Sequence, residues 1–312
     1  MRCGPEGVSQ LKRAIRVAIP FIVAALVASA CGGAGTGGTK PAITIGSTNF
    51  SEQLVLGELY SQVLEANGYT VTRKFNLGAR EIVFPALQSG QIDLEADYLA
   101  TLLAFVDKTA TGSTDPKQTL ATLQKALTSK GVTVLDYAPA VDQNGFVVTK
   151  ATADKLKLAK LSDLAPVGNQ LVLGGPAECP NREFCAQGLK TKYGITFKDF
   201  KALDTGGPLT VQALVGGQID VGLLFTSDAT IAVRGFVLLD DDKQLQLSDN
   251  VAPVVRNDYL TKAGDDFKKT INSIAPKLTT AELTGMNKLV EVDKQDPKDV
   301  AKAWLKKQGL IK

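Results

Sequence analysis

The chain has 312 residues, with 35 Lys and Arg against 32 Asp and Glu, 44% apolar residues, four cysteines and no histidine. Without histidine, Ser-His-Asp and Cys-His catalysis and the usual His-containing metal sites are excluded. The formal charge of +3 belongs to residues 1–30, where Arg2, Lys12, Arg13 and Arg16 face only Glu6; 31 charges of each sign remain beyond it. That balance offers no basic stripe, so no nucleic-acid partner is expected.

The chain opens as a targeting segment. Lys12, Arg13 and Arg16 precede an apolar run from Val17 to Ala28, and small residues lead into Cys31. This order marks a secretory signal, and the run is shorter than the roughly 20 residues that span a bilayer. Ala28-Ser29-Ala30 before Cys31 is similar to a bacterial lipobox. Residues 1–30 are therefore expected to be a signal peptide, with Cys31 the lipidated first residue of an extracytoplasmic, membrane-anchored chain. An ordinary signal with an incidental cysteine is the alternative. Residues 31–41, mostly Gly and Thr, are expected to form a flexible tether.

About 270 residues follow, enough for two lobes. ALQSGQIDL at 86–94 returns as ALVGGQIDV at 213–221, an offset of 127. Ile45-Gly46-Ser47 has a fainter echo in Leu173-Gly174-Gly175. Each copy reads as β-α-β-α-β. In the first, Ala42–Gly46 is a strand, and Asn49 and Ser51 are candidate helix N-caps. Leu56, Leu59, Tyr60, Val63 and Leu64 have helical spacing, and Asn67-Gly68 is a stop. Thr70–Phe75 is a strand, Arg80–Gln88 a helix and Ile92–Leu94 a buried strand. The alternation predicts parallel sheets with right-handed crossovers. Chain crossings are expected near Pro139–Phe146 and Phe236–Leu247. They give a first lobe of 42–141 plus 237–312 and a second of 142–236. The tail from Phe267 to Lys312 reads as helices, with Trp304 packed on the first lobe.

Ligands of open α/β sheets sit beyond the carboxyl ends of the strands. Those places hold Ser47-Thr48-Asn49-Phe50 and Asp97–Thr101 in the first lobe. In the second they hold Gly175-Pro176-Ala177 with the cysteine loop, and Leu224–Asp228. The 127 offset sets Tyr98 on Phe225, two rings facing across one cleft. Outside the cytoplasm, Cys179 and Cys185 are expected to form a disulfide. A zinc site is the alternative, but ligands are lacking. No phosphate-cradling glycine motif occurs, and Asp240-Asp241-Asp242 reads as a solvated turn instead of a cation site.

GSTNFSEQLVLGELYSQVLEANGY and LGAREIVFPALQSGQIDLEADYLATLL, with GLKTKYGI, QAL…QIDV…FTSD and LLDDDKQ…APVVR, resemble the ProX/OpuC-type osmoprotectant-binding proteins of ABC importers. The resemblance covers nearly the whole mature chain. It implies an α/β, two-lobed periplasmic-binding-protein fold of type II, with two chain crossings and a ligand cleft between the lobes. It also implies a glycine betaine, choline or carnitine type of ligand, caged by four tyrosines. The matching positions are Tyr98, Phe146, Val211 and Phe225, so one tyrosine is kept and one ring is lost. Some relatives carry lysine where this chain has Thr48; the arginine of the second-lobe loop is matched by Arg182, and Thr101 follows Tyr98 as in the family.

The expected ligand-binding set is therefore Ser47, Thr48, Asn49, Tyr98, Thr101, Phe146, Arg182, Val211, Phe225 and Thr226. Arg182 is either an anchor for an anionic group or a surface arginine held by the disulfide loop. No cofactor, metal or catalysis is expected. The expected partners are a small solute and an ABC permease with its ATPase, and the chain is expected to be a monomer. A ligand that is less charged or partly aromatic, or a role as a sensor for a membrane partner, is the alternative.

Overall fold

The computed structural model describes residues 40–312. The expected signal peptide, Cys31 and residues 32–39 of the expected tether lie outside the described residues. Lys40 and Pro41 are already held: Lys40 Nζ donates to Asn67 O at 2.8 Å, and Tyr259 Oη donates to Pro41 O at 3.0 Å. A tether reaching residue 41 is thus too long by two.

The first lobe contains β1 (Ile43–Gly46), α1 (Ser51–Ala66), β2 (Val71–Lys74), α2 (Arg80–Gln88), β3 (Leu94–Tyr98), α3 (Leu99–Val106), α4 (Pro116–Leu127) and β4 (Val132–Val134). The second contains β5 (Asn144–Val148), α5 (Lys150–Leu156), β6 (Val172–Pro176), α6 (Ala186–Gly188), β7 (Asp199–Leu203), α7 (Pro208–Val215), β8 (Val221–Phe225), α8 (Thr230–Arg234) and β9 (Val237–Leu238). The chain then returns through β10 (Val251–Arg256) and ends in α9 (Asn257–Asn272), α10 (Thr280–Glu291) and α11 (Pro297–Lys307). Helix α1 buries Leu56, Leu59, Tyr60, Val63 and Leu64, the residues whose spacing predicted it, against Phe267, Leu283, Val300 and Trp304 of the tail. Neither Asn49 nor Ser51 caps it. Phe50 occupies the N-cap position without a side-chain bond, and Ser51 Oγ donates to Glu291 Oε1 instead.

The sheets have orders β2-β1-β3-β10-β4 and β7-β6-β8-β5-β9, the same arrangement twice. Three strands in each are parallel as expected, but β10 and β5 run antiparallel to both neighbours. The sheets are therefore mixed. Each reversed strand is the first after a crossing: the chain arrives at the cleft end and must run away from it. The crossing segments lie side by side, with Asp142 N donating to Asp249 O at 3.0 Å and Val251 N to Ala140 O at 3.0 Å.

The repeated Gly-Gln-Ile-Asp has a physical reason in both lobes. Gly90 and Gly217 turn the chain at φ of 78° and 67°, where a side chain would be strained. Ile92 and Ile219 then pack on Gly46 and Gly174, where an added Cβ would come within 2.4 and 2.5 Å of their methyl groups. Asp93 and Asp220 each accept an amide of the neighbouring strand, β1 or β6, from Thr44 N and Val172 N, at 2.8 Å in both cases. The strand expected over Ile92–Leu94 therefore starts only at Leu94, because Ile92 and Asp93 fasten the turn.

The return comes later than residue 237. Val237–Leu238 pairs with β5, and Leu239 and Leu245 lie in the second lobe's core. Gln246 Nε2 still donates to Phe184 O, whereas Ser248 bonds Thr119 and Ser113 of the first lobe.

Candidate functional site

The tips of both sheets enclose a cleft of about 740 Å³. Of the expected residues, Thr48, Asn49, Tyr98, Thr101, Arg182 and Phe225 line it; Ser47, Phe146, Val211 and Thr226 do not. Ser47 is a turn residue: its Oγ accepts from Asn76 N at 3.1 Å and donates to Thr48 O. Thr226 Oγ1 accepts from Gln143 N at 2.9 Å, fastening β8 to the crossing. Phe146 is 1% exposed and packs with Leu173 and Leu223 in the core. It lies two residues, roughly 6.6 Å, further along β5 than Asn144, which does line the cleft. Val211 faces Leu214, Ile219 and Leu224 on the sheet side of α7.

Five rings line the cleft: Phe50, Tyr98, Phe105, Phe184 and Phe225. Phe50 stacks on Phe225 with centroids 4.9 Å apart and planes at 27°, and on Tyr98 at 6.4 Å and 22°. Rings from the two lobes thus form one continuous stack. Phe50 reaches it because it sits at the mouth of α1, directly after the loop from β1. The residue pattern marked this loop as ligand-facing, but the internal repeat could not point to the ring, since Glu178 stands at the corresponding place when Gly46 is matched to Gly174.

Tyr98 ends β3, and its hydroxyl donates to Glu52 Oε1 at 2.6 Å and accepts from Gln53 Nε2 at 3.1 Å. Glu52 Oε2 accepts from Ser227 Oγ and Asn287 Nδ2, both at 2.6 Å, so this carboxyl joins the lobes beneath the rings. Burial raises the pKa of Glu52, and burial with the nearby Glu52 charge raises that of Tyr98. Asp142, on the crossing, accepts from Ser227 N at 3.0 Å, and burial pushes its pKa well up. Nothing in the sequence pattern distinguished Glu52 or Asp142 from surface carboxylates.

Six acidic and three basic side chains line the cleft. Arg80 is buried and bonds Asp97 through both Nε and Nη2, the latter also donating to Thr101 Oγ1 at 2.8 Å. Asp249 accepts from Thr101 N at 2.8 Å, and burial raises it to about 7. Arg182 is not a free anchor. Its Nη2 reaches across the cleft to Glu81 Oε2 at 2.8 Å and lies 3.4 Å from Glu178 in its own loop. Burial favours the protonated form of Glu81, but Arg182 outweighs it and the net direction is down. The loop is closed by the Cys179–Cys185 disulfide, both cysteines buried. Among the described residues, no group of three or more Cys, Asp or Glu is placed to hold a metal ion, and no helix is long and apolar enough to cross a membrane.

Residues 41–307 match the family model described as the substrate binding domain of ABC-type glycine betaine transport systems. The carnitine transport binding protein OpuCC of Listeria monocytogenes is 28% identical over 93% of this chain and 95% of its own length. The ergothioneine transport permease/ergothioneine binding protein EgtU of Helicobacter pylori is 26% identical over 87% of this chain and 48% of its length. Among solved structures, a glycine betaine/carnitine/choline ABC transporter chain superposes with a TM-score of 0.67 and 28% identity, over 86% of this chain and 99% of that one.

Proposed function

This chain belongs to the family of substrate-binding domains of ABC-type glycine betaine transport systems, and from that premise we propose that its cleft captures a small solute with a quaternary ammonium head. The class itself is an extracytoplasmic solute-binding component of an ABC importer, with a type II two-lobed fold and no enzymatic role. The observation that carries the ligand reading is the stack of Tyr98, Phe50 and Phe225, built from both lobes. A quaternary ammonium donates no conventional hydrogen bond, and ring faces hold it by about 0.5–2 kcal/mol each. The acidic surplus of the lining favours a cation further.

Binding works as a hinge. A solute touching rings of both lobes favours the closed arrangement, and the paired crossings at Ala140–Asp142 and Asp249–Val251 are where the backbone turns. Where the solute also carries a carboxylate, Arg182 receives it by exchanging Glu81, a side chain that is 44% exposed. Thr48, Asn49 and Thr101 complete the polar wall. Acylation of Cys31 holds the protein at the membrane, and the loaded monomer meets the permease. Mass spectrometry of the mature N-terminus tests the anchor: an unacylated terminus at Cys31 ends it.

Isothermal calorimetry of the mature chain tests the ligand. Choline, L-carnitine, glycine betaine and ergothioneine form the panel, with proline as a zwitterion without a trimethylammonium head. Saturable binding of methylated ammonium compounds and none of proline is expected. Tight binding of proline alone would overturn the proposal.

A further inference from the structure

Two residues of the cleft wall each carry a buried polar atom without a partner. Gln53 and Thr48 line the cleft, and Gln53 Oε1 and Thr48 Oγ1 are buried without a hydrogen bond. Buried polar atoms are nearly always paired, and an unpaired one bears a desolvation cost that a bound group can remove. The other buried unpaired atoms, such as Ser61 Oγ and Glu95 Oε1, belong to residues that do not line the cleft.

The bonds around Gln53 fix which end of its amide is left over. Gln53 Nε2 donates to Tyr98 Oη, Tyr98 Oη donates to Glu52 Oε1, and Glu52 Oε2 accepts from Ser227 and Asn287. Tyr98 Oη gives its one hydrogen to Glu52 and so takes one from Gln53 Nε2, which leaves Gln53 Oε1 as an acceptor. Thr48 Oγ1 can give or take one hydrogen. A trimethylammonium head satisfies neither atom, because it has no hydrogen to donate. The aromatic stack and the unpaired acceptor therefore ask for two different groups on one molecule.

We propose that the cleft selects quaternary ammonium solutes that also carry a hydroxyl or N–H donor, received by Gln53 Oε1 or Thr48 Oγ1, over fully methylated solutes that have none. This deepens the ammonium reading above and rests on it.

Calorimetry with matched pairs tests it. L-Carnitine is set against γ-butyrobetaine, which differs only in lacking the hydroxyl; choline is set against n-propyltrimethylammonium, in which a methyl replaces it. The hydroxylated member of each pair is expected to bind about tenfold more tightly. That ratio is expected to fall toward one in Gln53→Met or in Thr48→Val. Because Gln53 also holds Tyr98, a fall in melting temperature for Gln53→Met leaves the test to Thr48→Val, whose hydroxyl has no protein partner to lose. Equal affinities within both pairs overturn the donor selectivity while the ammonium reading stands. A ratio preserved in Thr48→Val and in folded Gln53→Met overturns the assignment to these residues. If no methylated ammonium compound binds at all, both readings fall.

Discussion

Strands β3 and β8 lie 127 residues apart, hold the same place in their sheets and each end in a ring at the cleft, yet they carry opposite chemistry. Leu-Glu-Ala-Asp-Tyr delivers Asp97 to Arg80 and fixes the Tyr98 ring through Glu52 and Gln53. Val-Gly-Leu-Leu-Phe delivers no polar group, and Phe225 is held by packing alone, against Phe50 and the bare backbone of Gly206. The turn that feeds each strand is the same to the residue. Duplication thus preserved what builds the sheet, while the tips were free to diverge. One lobe presents a ring oriented by hydrogen bonds above buried acids; the other presents a ring held by packing, beside a polar loop closed by a disulfide.

The largest effect expected from this contrast is on the wired ring. Tyr98→Ala removes a ring face and leaves Glu52 and Gln53 without their shared partner. Binding measured by calorimetry should weaken at least tenfold, and the variant should lose about 1–3 kcal/mol of stability in urea. Unchanged affinity breaks the assignment of the first lobe as the orienting half.

The buried acids of that half predict a pH dependence with a definite sign. Burial raises Glu291 from an ordinary 4.5 to about 9 and Asp249 from 3.8 to about 7. The folded state therefore holds more protons than the unfolded one between these limits, so stability is greatest in mild acid and declines as pH rises from about 4 to 9. Glu52, Glu95 and Asp142 act in the same sense. Melting temperatures across this range should fall with pH, and less steeply in Glu291→Gln. A curve that climbs with pH contradicts the account.

In the second lobe, Cys179→Ser with Cys185→Ser should cost about 2 kcal/mol in denaturant unfolding, the value for a short closed loop. Loss of the packed ring should matter less than loss of the wired one: Phe225→Leu is expected to weaken binding about fivefold, one ring's worth. If it equals or exceeds Tyr98→Ala, the division of roles is reversed. The smallest effect falls to Arg182→Ala, an exchange at a partly exposed ion pair. The preference for carnitine over choline should drop about threefold. An unaltered ratio leaves Arg182 and Glu81 as a bridge between the lobes and nothing more.

Much of this was legible in the residues. The repeat at 86–94 and 213–221 announced two lobes, and Tyr98, Thr101, Phe225, Thr48 and Asn49 stand at the cleft because position after a strand follows from alternation alone. Phe146 and Val211 were misplaced for a common reason: matching motifs fix a position along the chain, not its depth. Two residues along β5 carry Phe146 from the cleft into the core, and helical phase turns Val211 to the sheet. Phe50 had no counterpart in the other lobe to single it out, and Glu52 looked like any acid in a first helical turn.

The sequence by itself determined most of the elements, the doubled β-α-β-α-β unit, the disulfide and the class of the protein, since periodicity, turn residues and repeats are written between neighbours in the chain; the reversal of β5 and β10 was not among them. Only the tertiary structure decided that Phe50 and not Phe146 joins the rings, that Arg182 meets Glu81, and that Gln53 keeps an unpaired oxygen. Those contacts join residues from distant parts of the chain, or depend on how far each strand runs before the cleft begins. Packing and hinge geometry set such distances, and no local pattern encodes them.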